Sequence, residues 1–464
     1  MVNVAITTAG RRIVRATAAV ALSALLVAGC SESEDVSSGS DDDAASALDT
    51  ASDGAIEPAE GDGETVVSRF QGAQWFNGDV PAPQQADMAE APIKVGFMNV
   101  DAAPIGAMPE LHAATDAAAA FINSELGGVD GRPIEIVPCL LSNALAPEEA
   151  SGCARQLVEA GVVAVLGGIG LSNGPALTVF EDNGIPYVGG IPVNEDEMRS
   201  SASFQFSGGS PGAFAAFAEQ AVAVDGAEKV AVLYADYPSI KLAALDYGAA
   251  VARARGAEVT EVSYPMVSQD FATPVQKALE SDPDAVLVVA ADLSCAPVMQ
   301  ALVDLQTDAD IYMVGSCADV KVLDKIGIDN VKGFRFNVEN RLDQGAEPIA
   351  DTEIYTLAME KYAPETTPMS AATVAFRSAM NLWAVMEGIG PDATAEQITE
   401  AFRSSRDVPS FDGHSYTCAE EQIPGYPAMC APQQVIAELQ GRNQFVELSD
   451  GWVDVPTVIQ ETLG

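Results

Sequence analysis

Positive charge is what this chain has least of. Against 67 Asp and Glu stand 23 Lys and Arg, for a net charge of −44. So acidic a surface excludes a nucleic-acid partner, because each phosphate asks for Lys or Arg. It also disfavours an anionic solute, unless a local cationic pocket overrides the field. Histidine is almost missing, with only His112 and His414. No C-x-x-C occurs, so no metal is expected, and no other cofactor. After Cys30 no apolar run is long enough to cross a bilayer. No tandem repeat is present, which excludes a solenoid.

What is there begins with a targeting segment. Arg11, Arg12 and Arg15 form a basic n-region, and Ala16 to Gly29 an apolar h-region too short to span a membrane comfortably. It ends in Val27-Ala28-Gly29-Cys30, which resembles the lipobox of bacterial lipoproteins. That chemistry needs small residues before the cut and a thiol to carry lipid. Residues 1–29 are therefore read as a signal peptide, with Cys30 as the lipidated first residue of the mature chain. More than one acyl chain gives stable anchoring. The protein is then expected outside the cytoplasm, held to the cell membrane by lipid.

From Ser31 to about Asp87 the composition turns acidic and small, with no Lys or Arg before Arg69. Such a stretch cannot bury enough apolar surface to order itself. Residues 30–90 are expected to be a disordered, self-repelling tether. Trp75 and Phe76 are the exception, candidates for docking on the fold.

Roughly 375 residues then remain, enough for two lobes and a sizeable core. Apolar runs at Ile93 onward, Ile134–Val137, Val162–Leu166, Ile185–Val188, Val230–Tyr234, Ala285–Val289 and Ile311–Val314 alternate with helical patterns. That alternation is the mark of a parallel α/β architecture. The first unit is complete: a strand, a helix over Leu111–Leu126, Gly127-Gly128 to end it, and a second strand. Near the C-terminus, QVIAELQ and QFVELS flank Gly441-Arg442-Asn443 and predict a hairpin. Of seven cysteines, six remain once Cys30 is set aside. Their layout suggests Cys139–Cys153, Cys295–Cys317 and Cys418–Cys430, although six cysteines admit many pairings.

The segment Ile93-Lys94-Val95-Gly96-Phe97-Met98-Asn99, followed by Asn123-Ser124-Glu125-Leu126-Gly127-Gly128-Val129-Asp130-Gly131-Arg132-Pro133-Ile134, resembles the start of solute-binding proteins of the leucine/isoleucine/valine-binding family. The resemblance implies a type I periplasmic binding fold: two Rossmann-like lobes with parallel sheets, joined by three crossover segments. Lobe 1 is expected over 91–208 and 337–409, and lobe 2 over 209–336 and 410–464. The crossings are placed near Ser207–Ser210, near Asn337 and near Pro409–Gly413. The function it implies is non-enzymatic capture of a small molecule (amino acid, amide or related compound) in an interlobe cleft. The implied partners are ABC permease and ATPase subunits, and a monomer is expected. A receptor feeding a signalling partner is the alternative on the same fold.

In doubly wound sheets ligands sit off the carboxyl ends of the strands. Ser172 resembles the family serine that meets a ligand carboxylate, with Asn173 beside it at a helix start, where both types also serve as caps. Gly190, Ile191 and Val193 lie in the loop that grips an amino acid in the family. A threonine is usual where Val193 stands. After Val314, Ser316 is a candidate, and Cys317 occupies the place of an acid that pairs with an ammonium group. Tyr237, expected to stack on a ligand, and Asp101 and Asp292 complete the ligand-binding set. With threonine and acid both missing, an α-amino acid would be buried with its charges unpaired. A less charged ligand is at least as well suited. Gly170, Ser172 and Gly174 also spell G-x-S-x-G, the hydrolase elbow, with His414 later in the chain. That reading requires Ser172 and His414 to meet.

Overall fold

The computed structural model describes residues 65–464, apart from 102–106, 291, 343–348 and 369–370. Cys30 and the signal segment lie outside the described residues. The described chain opens earlier than the composition suggests. The acidic tether was expected to run to residue 90, yet 65–90 pack onto the first lobe. Val67, Trp75, Phe76 and Val80 are buried in its core. Strands β1 (Gln74–Trp75) and β2 (Gly78–Asp79) form a small hairpin there. Trp75 meets Trp383 at 5.8 Å between ring centroids, and Phe76 meets Phe411 at 5.3 Å. The buried Glu125 carboxylate fastens this strap. It accepts from Val67 N at 2.9 Å, Lys361 Nζ at 2.8 Å and Tyr362 Oη at 2.7 Å. A few apolar anchors and one satisfied buried acid thus order a segment whose average composition reads as disordered.

The first sheet holds β3 (Ile93–Val100), β4 (Ile134–Leu141), β5 (Ala164–Gly167), β6 (Tyr187–Val188) and β7 (Ser203–Phe204), in the order β4-β3-β5-β6-β7. Every pairing is parallel. The strands are near-continuous apolar runs because helices cover both faces. The Pro109–Glu125 helix ends at Leu126, and Gly127 and Gly128 follow with φ of 84° and 72°. The Ala371–Ile389 helix returns to pack along it. Trp383 Nε1 seals that packing with a hydrogen bond to Gly128 O at 2.7 Å.

The second sheet runs β14-β13-β12-β11-β10-β8-β9. Its strands are β8 (Lys229–Ala235), β9 (Glu258–Tyr264), β10 (Ala285–Val289), β11 (Asp310–Met313), β12 (Arg335–Val338), β13 (Val435–Gly441) and β14 (Gln444–Glu447). The last two form the expected antiparallel hairpin. Edge strand β9 alternates polar and apolar residues, so it carries no continuous run to betray it in the sequence. All three disulfides join the pairs read from the cysteine layout.

Three passages connect the lobes, and the third is not where the resemblance put it. Phe206 belongs to the first core and Ala213 to the second, so the first passage covers Ser207–Ser210. The second follows β12. Residues near Pro409–Gly413 stay with the first lobe, since Phe411, Tyr416, Cys430 and Ala431 all sit in its core. Val435 already pairs with Val338 in the second sheet. The third passage is therefore Pro432–Gln434, after the Cys418–Cys430 loop. A pattern of Gly and Asp in Phe411-Asp412-Gly413 looks like a crossing but marks only a turn, with Asp412 at φ 45°.

Candidate functional site

Between the lobes lies a cleft with about 890 Å³ of empty space, open in part to solvent. The ends of parallel strands build it, as the doubly wound topology demands. From the first lobe come Ile169 and Leu171 after β5, and Ile191 and Val193 after β6. From the second come Val289 and Ala290 at the end of β10, and Val314 to Ser316 after β11. Val338 at the end of β12 and Glu339 on the second passage form part of its wall, as does Val374 on the Ala371–Ile389 helix. Hydrocarbon predominates. Among the described lining residues none is Lys, Arg or His.

Three of the residues singled out in the sequence line this space: Ile191, Val193 and Ser316. Gly190 lies beneath them at φ 94°, where a Cβ would come within 2.7 Å of Gly168 O. Only glycine lets the loop approach β5 so closely. Ser172 is half-buried, one residue beyond Leu171, and does not itself line the space. Asn173 is 1% exposed and starts the Gly174–Asn183 helix without capping it. Its amide instead donates to Glu197 Oε1 at 2.8 Å. Tyr237 does not stack over the space. Its hydroxyl crosses between lobes to donate to Leu171 O at 3.4 Å. Asp101 is engaged by Asn99 Nδ2 and, at 3.1 Å, by His112 Nδ1. That hydrogen bond raises the His112 pKa above its ordinary value, against the opposing effect of burial. The side chain of Asp292, first residue of the Asp292–Leu305 helix, lies outside the described residues.

The missing threonine and acid are missing in space as well. Val193 presents hydrocarbon to the cleft. Cys317 is fully buried in its disulfide with Cys295. Asp319 caps the Val320–Ile326 helix through Lys321 N at 2.8 Å. The hydrolase spelling fares no better. His414 Nδ1 faces Ser415 O at 2.7 Å, and its ring lies edge-on to Trp452. No contact among the described residues joins it to Ser172.

Sequence reasoning missed the polar residues that matter most here, because they stand on or beside the passages, at the end of a strand, β12, that the apolar runs did not mark. Glu339 lines the cleft with its side chain 11% exposed. Ser207 Oγ, on the first passage, donates to its Oε1 at 3.0 Å, and Arg377 Nη1 lies 3.6 Å from its Oε2. Burial pushes its pKa up, against the pull of Arg377. Asn337 Oδ1 accepts from Gly315 N at 2.8 Å, and its Nδ2 donates to Gln434 Oε1 at 2.9 Å on the third passage. Asn337 was marked only as a crossing point.

Beneath the first-lobe wall sits Glu197, 1% exposed. Its Oε2 accepts from Val193 N at 3.0 Å and Asn194 Nδ2 at 3.0 Å. Burial raises its pKa to about 7 despite these donors. Glu197 thus holds in place the loop that offers Ile191 and Val193.

The sequence matches the family model described as "Periplasmic binding protein" over residues 92–429. No curated protein matches it. Among solved structures, a leucine binding protein, LivK, from Thermotoga maritima is similar with TM-score 0.64 at 17% identity, over 77% of this chain and 98% of that one. LivJ from Streptococcus pneumoniae, a branched-chain amino acid transporter substrate binding protein in complex with isoleucine, gives 0.63 at 16%, over 77% and 100%. A fatty acid ABC transporter substrate-binding protein from Thermomonospora curvata gives 0.67 at 15%, over 81% and 96%. At such identities these likenesses speak for the fold alone.

Proposed function

The chain belongs to the periplasmic binding protein family, and from that premise we propose that it is the lipid-anchored receptor of an ABC importer, capturing a small and largely apolar solute between its lobes. The observation that carries the ligand reading is the cleft lining. Side chains from both lobes offer hydrocarbon, while the paired groups that a zwitterion needs are replaced by Val193 and by the Cys295–Cys317 disulfide. Burying an ammonium or a carboxylate without partners costs far more than such a cleft returns. The names of similar structures carry leucine, isoleucine and fatty acid, all with apolar bodies. Contacts from both lobes favour the state in which they face each other, so binding is the closing force.

A thermal-shift screen tests this. Neutral apolar solutes such as cyclohexanol and benzamide should raise Tm by about 2 °C or more when present near a hundredfold above Kd. Leucine should not. Ala213→Trp, which fills the cleft, should remove the response. A shift by leucine and by none of the neutral solutes sinks the ligand reading.

The anchor rests on Val27-Ala28-Gly29-Cys30. In cells fed a labelled fatty acid, the protein should take up label and enter the detergent phase on partitioning. Cys30→Ser should abolish both. An unlabelled, water-phase wild type would remove the anchor and leave the binding function standing.

A further inference from the structure

The apolar lining leaves open which end of a solute the cleft reads. Of its polar groups, Asn337 is already engaged at both ends of its amide, by Gly315 N and Gln434 Oε1. Ser210 and Ser316 carry hydroxyls, which serve as donor or acceptor alike. Glu339 differs. A carboxylate offers about four acceptor sites. Ser207 Oγ occupies one of them on Oε1, and the Gln434 side chain is a second hydrogen-bond partner. Arg377 Nη1 stands 3.6 Å from Oε2, beyond hydrogen-bond reach. Arg377 lies behind the carboxylate and does not line the cleft. It is 2% exposed, and its N–H groups go to the carbonyls of Phe206, Phe411, Asp412 and Glu339 itself.

We propose that Glu339 selects the solute's head group: it accepts a hydrogen bond from an ammonium, hydroxyl or amide donor on an otherwise apolar molecule, and it rejects a carboxylate. The assignment rests on the apolar-solute reading above. Its logic is that of specificity by an unpaired acceptor. A donor takes up an acceptor site of the carboxylate that Ser207 and Gln434 leave open, whereas a carboxylate sets acceptor against acceptor in a water-poor wall with no cation among the described lining residues. The position carries a second consequence. Glu339 stands on the second passage and is tied to the first through Ser207, so a head group held there touches the two strands that bend when the lobes move.

Four probes with one tail decide the matter: hexylamine, 1-hexanol, hexanamide and hexanoate, each titrated against the purified protein by thermal shift. The three donors should bind, and hexanoate should bind at least about tenfold more weakly than hexanamide. Glu339→Gln brings an amide that can donate, so hexanoate should gain and hexylamine should lose by about tenfold each. Glu339→Asp keeps the charge and should keep the wild-type order. If E339Q does not unfold cooperatively, the orders for wild type and E339D decide alone. Hexanoate binding as well as hexanamide in the wild type, or an unchanged order in a folded E339Q, overturns the Glu339 assignment and leaves apolar capture intact. No shift with any of the four overturns apolar capture, and this assignment falls with it.

Discussion

Replacing Arg377 by methionine should lower the unfolding free energy by about 3–5 kcal/mol, read from urea denaturation of the purified protein. The side chain is 2% exposed, and its guanidinium fork serves four backbone carbonyls at once. Nε donates to Phe411 O at 3.2 Å, Nη1 to Phe206 O at 3.4 Å, and Nη2 to Asp412 O at 2.8 Å and to Glu339 O. Phe206 leads into the first passage between lobes, and Glu339 is on the second. A methionine fills part of the volume but leaves those carbonyls without their donor and the Glu339 carboxylate without the cation 3.6 Å away. Orphaned buried acceptors, more than lost attraction, set the size of the effect. Lysine keeps the charge but not the planar fork, so Arg377→Lys should recover only a minor part of the loss. Gly413→Ala gives an independent check, because its Cβ would sit 2.5 Å from Arg377 Nε. It should destabilise without touching the arginine. A loss under about 1 kcal/mol for Arg377→Met would mean that water replaces the fork, and that the passages hold their shape unaided.

Arg377 also shows where sequence reading stops. Strand ends were legible, because buried parallel strands are apolar runs punctuated by Gly, Pro and Asp. Since ligands gather at those ends, Ile191, Val193 and Ser316 could be picked out by position, and the segments after Gly167 and Val314 and the end of β10 at Val289 and Ala290 all contribute to the lining. The Cys295–Cys317 bond followed from two neighbouring parallel strands. What failed was anything set by the far side of a side chain. Asn173 looks like a cap or a ligand contact, and instead it holds Glu197 from 24 residues away. Tyr237 looks like a stacking platform, and its hydroxyl bridges the lobes. The turn at Phe411-Asp412-Gly413 has a crossing's composition, but the passage comes at Pro432–Gln434. Nothing in one dimension tells a buried arginine in the Ala371–Ile389 helix from a surface one, nor says which carbonyls lie in its reach. The strap at 65–90 failed for a related reason. Composition averages over a stretch, whereas Val67, Trp75, Phe76 and Val80 act singly.

Acidification from about pH 8 to about pH 5 should stabilise this protein by a few kcal/mol. Buried acids set the sign, Glu339 among them, since burial raises its pKa as well. Burial raises Glu197 to about 7, Asp412 to about 7 and Asp351 to about 6. Each binds its proton more tightly folded than unfolded. Their contribution is therefore complete below the ordinary carboxylate range and is lost as pH climbs through the folded values. His112, raised chiefly by its hydrogen bond to Asp101, acts in the same direction. Opposing groups exist, since Glu181 and Glu195 are lowered by hydrogen bonds from Ser200 and Arg199. They are largely exposed, and their effect is confined to pH below the ordinary carboxylate range, outside this window. Asp351 and Asp412 are linked, as Asp351 Oδ2 accepts from Asp412 N at 3.1 Å and the Asp351 charge raises the cost of charging Asp412. Glu197 stands apart from that pair, with only a minor push from the Asp196 charge, so roughly 2 kcal/mol of the change belongs to it. Glu197→Gln should flatten the slope by that amount, while Asp351→Asn should remove the Asp351 share and leave the Glu197 share in place. Calorimetric Tm values at several pH points check both. A Tm that rises from pH 5 to pH 8 would show that the donors on Glu197, from Val193, Asn194 and Asn173, outweigh its desolvation. The loop offering Ile191 and Val193 would then be held by a charged carboxylate throughout.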